Sequence, residues 1–220
     1  MTRPSPVPGA DAIASLQAHL HRIYGLHEGQ TPDIRPFLVD DAALETLRPP
    51  GTARPSDEWV LVRESDEGLD LAVWIAPVHL HKLAQAPDTR AVVRGSLRSF
   101  CAVIEGISHF MFLVERARRA EPLTLLELEV QGEIDKFVSA RLHCPEHTPA
   151  LRRALFVDVT FHRGLTSEER SRYREAGRLA RAWCDHLTRL PHLAAVLEAQ
   201  RGFWRSPGGE RMSRLRSMAA

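Results

Sequence analysis

The sequence predicts an α+β fold, predominantly helical, in which an N-terminal helix and a small antiparallel β-hairpin pack on a C-terminal helical bundle. Three observations predict it. Apolar residues recur at helical spacing over 11–26 and over most of the chain beyond residue 96. Leu69, Leu71, Val73 and Ile75 fall on every second position after a turn-like Ser65-Asp66-Glu67-Gly68. Thr124/Glu127 and Thr166/Glu169 are two Thr-x-x-Glu capping boxes, each followed by a long helical pattern.

Taken in order, residues 1–10 hold three prolines and read as loose. The first helix covers 11–26, with Asp11 as its N-cap and Ile13, Leu16, Leu20 and Ile23 on one face. Residues 48–58, rich in proline and polar side chains, form the clearest loop. The hairpin follows over 58–76. Two strands are marginal alone, so they need helices or a third strand, for which the segment near Phe37 and residues 156–161 are candidates. A helix started by Thr148-Pro149 is the competing reading of the latter. From Ser96, a potential cap, helices cover 97–119, 125–142 and 167–190, and Pro191 restarts a last one. The chain divides into a helix and hairpin region (1–95), a bundle (96–204) and a basic tail (205–220) expected to be solvated or disordered.

Hydrophobic residues at 44% and charged residues at 26% describe an ordinary globular chain able to bury a core without staples. The net charge of +1 excludes a polyanion-binding surface as a whole, so any such affinity must be local. Three cysteines without a Cys-x-x-Cys pair argue against a disulfide framework. No apolar run reads as a signal peptide or a bilayer span, and the expected location is cytoplasmic. Phosphate loop, nucleophile elbow and dinucleotide fingerprint are all absent from the sequence.

Chemistry-bearing residues concentrate in 104–137. On the helix over 97–119, Glu105 and His109 stand at i,i+4 opposite an apolar face. Phe110, Phe112 and Leu113 spread apolar surface around the cylinder, which suggests a central helix. On the next helix, Glu129 and Glu133 repel at i,i+4 unless a cation, a histidine or a metal lies between them. The short link makes the two helices antiparallel neighbours, so the two pairs can meet. Glu105, His109, Glu129 and Glu133 are therefore the candidate catalytic or metal-binding set, and a divalent metal is the one cofactor this pattern would take. Lys136, Arg116 or the arginines of 167–190 could instead satisfy the acids. Capping accounts for Glu127, and solvent exposure for Asp135. His143, Cys144 and His147, with Cys184 and His186, are a weaker zinc set. In the tail, Arg205, Arg211, Arg214 and Arg216 could meet a partner, with Phe203 and Trp204 as its anchor.

The sequence favours a non-catalytic interaction or adaptor protein acting on another protein, or on a second copy of itself, through a bundle face. Its alternative is a metal-dependent or acid–base enzyme built on the Glu/His set. A third reading is RNA binding through the basic tail.

Overall fold

The computed structural model describes residues 7, 9–27, 29–49, 51, 56–66, 68–162 and 164–220. Most of the expected loose segment 1–10 and much of the 48–58 loop lie outside them. Helix α1 (Ala10–Tyr24) buries Ile13, Leu16, Leu20, Ile23 and Tyr24, the face its spacing predicts. Its N-cap is Gly9 rather than Asp11, which sits in the first turn, where a carboxylate favours the helix dipole. At its other end Gly25 adopts φ +65°. Arg201 crowds that glycine and donates to the carbonyls of Ile23 and Arg22 at 3.3 and 3.1 Å. Arg201 is thus a cap for the end of α1.

After the short α2 (Asp41–Leu47), β1 (Glu58–Ser65) pairs antiparallel with β2 (Gly68–Ile75), in a register that sets Trp59 opposite Trp74 and Val60 opposite Val73. The segment near Phe37 contributes only a single parallel bridge, Leu38 to Val73. Residues 156–161 form no strand. Thr148-Pro149 instead starts α7 (Thr148–Phe156), because proline at the first helical turn gives up no hydrogen bond. Helices α3 (Pro77–Gln85) and α4 (Thr89–Gly95) lead into the bundle.

The bundle centres on α5 (Leu97–Arg118) and α6 (Leu125–His143). Among the described residues α5 alone is long and apolar enough to cross a bilayer, and 67% of that apolar window is buried inside the fold. Ser96 precedes it without capping it; its hydroxyl bonds Ser99 instead. Both expected capping boxes are present, at the start of α6 and of α8 (Ser167–Thr188). Helix α6 is contacted by α5, α8, α7, α4 and α1, so polar residues on every side of it are covered. Asp135 illustrates this: expected in solvent, it is 0% exposed. Tyr24 donates to its Oδ1, while Ser108 Oγ and Gln131 Nε2 donate to Oδ2 at 2.6 and 3.2 Å.

Helix α9 (Leu193–Arg205), capped by the His192 ring, buries Phe203 and Trp204. Phe203 stacks on Trp183 at 4.4 Å and Trp204 on Tyr24 at 4.1 Å. The tail is corrected from solvated or disordered to an ordered helix, α10 (Gly208–Ala219), packed on α8. The cause is apolar: Met212 and Leu215 share one face and are both buried.

Candidate metal centre

Helices α5 and α6 run antiparallel, so that Lys136 meets Glu105 and Gly132 meets His109. The approach is close because Gly132 has no side chain. A Cβ there would lie 3.0 Å from His109 Nε2 and 3.6 Å from Glu105 Cγ. Glu105, His109 and Glu129 each bring a ligand atom within 4.8 Å of the others, and among the described residues they alone form such a group of three or more. Three of the four residues expected to form the site therefore converge. Glu133 lies beside them with its Oε1 taken by Lys136 Nζ at 2.9 Å.

Burial sets the protonation of this group. His109 is 5% exposed. Its pKa is lowered to about 4, mainly by desolvation and further by Lys136, against the pull of Glu105 and of a hydrogen bond to the Leu128 backbone. The imidazole is thus neutral at pH 7, the form that binds a metal. Its Nε2 is buried with no hydrogen-bond partner. Burial pushes the Glu129 carboxyl up to about 8, with Glu105 and Glu133 adding to the effect and Lys136 and Arg172 opposing it. Burial likewise raises Glu133, aided by Glu105 and opposed by Lys136. For Lys136, burial alone would favour the neutral amine, but Glu105 and Glu133 outweigh it and hold it protonated.

Strand β1 supplies a residue that sequence reasoning missed. Glu58 Oε1 lies 3.8 Å from His109 Nδ1, and Oε2 is buried without a hydrogen-bond partner. Burial first, then Glu105 and Glu129, raise its carboxyl well above the ordinary range. A lone acid at the start of a strand carried no signal of this role. Four carboxylates, Glu58, Glu105, Glu129 and Glu133, thus share one region with two cations, Lys136 and Arg172. Arg172 of α8 reaches only to 3.7 Å from Glu129. The other arginines expected to neutralise these acids are engaged elsewhere: Arg178 on Glu175, Arg181 near Asp185, Arg174 over Phe161. A divalent cation would displace the protons that burial favours on Glu58 and Glu129, and the orphaned His109 Nε2 and Glu58 Oε2 are suitable donors. Two clefts open from the centre, and Ser56, Glu58 and Tyr173 line both.

The other candidates are not gathered in this way. Cys144 and Cys184 are buried and free, His143 packs against His19 at 4.5 Å, and His186 lies against Trp183. Of the tail arginines, Arg211 is corrected from the surface to the interior. It is 3% exposed, lies between the Phe112 and Phe203 rings and donates to Gln131 Oε1. Arg214 covers the Trp183 ring at 4.7 Å, while Arg205 and Arg216 are exposed.

No protein-family model, characterised protein or solved structure matches the chain.

Proposed function

We propose that the chain is a metal-dependent enzyme whose ion is held by Glu105, His109 and Glu129. The supporting observation is their convergence within 4.8 Å around an imidazole nitrogen that lacks a partner. On that ground this reading is preferred to an interaction protein acting through a bundle face and to RNA binding through the tail. One imidazole with carboxylates suits a divalent first-row ion such as Fe2+, Mn2+ or Zn2+. Three protein donors leave positions for water or substrate, and the ion would act there as a Lewis acid. Glu58, beside His109, is placed to take a proton from a bound water. Lys136 keeps Glu133 from competing and supports Glu105 from behind, at 3.1 Å from its Oε2.

Metal analysis of the purified chain and titration calorimetry with Mn2+ and Zn2+ test the proposal. The expected result is one ion per chain, lost in His109→Ala and Glu129→Gln. Affinity should rise with pH up to about 8, by about tenfold per unit, because binding must displace the Glu129 proton. A wild-type chain that binds no ion, or variants that bind as tightly as wild type, would sink it.

Gly132→Ala tests the geometry from the opposite helix. Its methyl group would press on His109 Nε2 and displace the ring. We expect ion affinity to drop about tenfold or more, with a stability loss of only about 1–2 kcal/mol from local overpacking. Unchanged affinity in calorimetry would show that the ring's position does not matter to binding.

A further inference from the structure

We infer that the cleft beside this centre binds a small carboxylic acid with an apolar or aromatic body, its carboxylate held by Arg172. The cleft has a volume of about 670 Å³ and lies between β1, the start of α6 and the first turns of α8. Its walls divide by chemistry. Trp59, Val60, Leu128 and Tyr173 supply aromatic and aliphatic surface, while His109 and Glu129 bring the proposed ion to one end. Sites of this composition take ligands with an apolar body and one or two polar groups that fix orientation.

Arg172 identifies the polar group. Its side chain is 18% exposed, and its nearest carboxylate, Glu129, is 3.7 Å from Nε, beyond hydrogen-bond reach. That Nε is buried and makes no hydrogen bond. Glu169, one turn earlier in the same cleft, accepts from Thr166 N and Oγ1 through Oε2 in the capping box. The inference rests on the metal reading in one respect: an ion draws Glu129 to itself and leaves the guanidinium without its closest counter-charge. A planar carboxylate matches the guanidinium fork with two parallel hydrogen bonds. A carboxylate on Arg172 sets the body of the ligand along Trp59 and Tyr173, with the metal end of the cleft alongside.

Three probes of one skeleton test this on the full chain: 3-phenylpropanoate, 3-phenylpropanamide and 3-phenylpropylamine. Each is titrated by calorimetry into Mn2+-treated wild type, Arg172→Ala and Arg172→Lys, with bound metal measured in every sample. The expected order is acid well above amide and amine. Arg172→Ala should lose about tenfold or more for the acid alone, and Arg172→Lys should be intermediate because it keeps charge but not the fork. At saturating Mn2+ the metal content should be equal in all three chains, which separates loss of the carboxylate clamp from loss of the ion. If wild type holds no metal, the metal reading fails. The probe order and its dependence on Arg172, measured on the same protein, then still decide the ligand class. Equal binding of acid and amide, preference for the amine, indifference to Arg172, or no saturable binding of the acid at about 1 mM would each overturn the inference.

Discussion

Replacing Asp135 by alanine is expected to lower stability by about 3–5 kcal/mol, with the urea midpoint falling and the slope unchanged. The carboxylate is fully buried and accepts from Tyr24, Ser108 and Gln131. Gln131 in turn donates to Tyr24 Oη at 2.6 Å and accepts from the buried Arg211. Alanine leaves the hydroxyls of Tyr24 and Ser108 without that acceptor and opens a cavity on the central helix. The penalty depends on pH. Burial raises the Asp135 pKa to about 6, against the opposing pull of its three donors. A carboxyl raised above its unfolded value contributes stability that is fully present below about pH 4 and is lost as pH rises through about 6. The variant lacks this contribution, so its deficit should be larger at pH 5 than at pH 8 by about 1 kcal/mol. A loss under about 1 kcal/mol at both pH values would show that the network does not act as a unit.

Lys136→Met should have a comparable effect for a different reason. The ammonium is 8% exposed and lies 3.1 Å from Glu105 and 2.9 Å from Glu133. Methionine replaces its volume but leaves two largely buried carboxylates with no cation between them. Removing one partner of a buried ion pair costs about 3–5 kcal/mol, because the remaining charge is stranded or must be protonated. A divalent ion that binds only the folded chain stabilises it by RT ln(1 + [L]/Kd), so the gain grows with its affinity and concentration. Saturating Mn2+ should therefore restore part of the loss in Lys136→Met and raise its melting temperature more than that of wild type. A variant as stable as wild type in metal-free buffer would remove Lys136 from the account. Equal shifts in both proteins would separate the lysine from the ion.

The local signals in this chain were legible because they involve neighbours in sequence. The Thr124–Glu127 and Thr166–Glu169 boxes, the alternation from Leu69 to Ile75 and the apolar faces of α1 and α8 each depend on residues two to four positions apart. The spacing of Glu105 and His109, and of Glu129 and Glu133, belongs with these, as does the inference that a short link brings them together. Glu58 could not be found in this way. It sits 47 positions before Glu105 in sequence, and only the packing of β1 against α5 carries it to His109. Asp135 and Arg211 failed for a related reason. A helical pattern assigns one buried face and one wet face, yet α6 is covered on several sides, and the Phe112 and Phe203 rings shelter the guanidinium of Arg211.

By itself, then, the sequence determined the hairpin, the capped starts of α6 and α8 and the pairing of acids with one histidine on two adjacent helices. Period, capping and turn chemistry are local properties, readable without knowing what lies across a contact. Only the tertiary structure decided which charges lose their water. It placed Glu105, His109 and Glu129 together, gave Glu133 to Lys136, added Glu58 and left Arg172 facing a cleft. Burial and charge balance are sums over every element that surrounds a group, and no single stretch of sequence contains them.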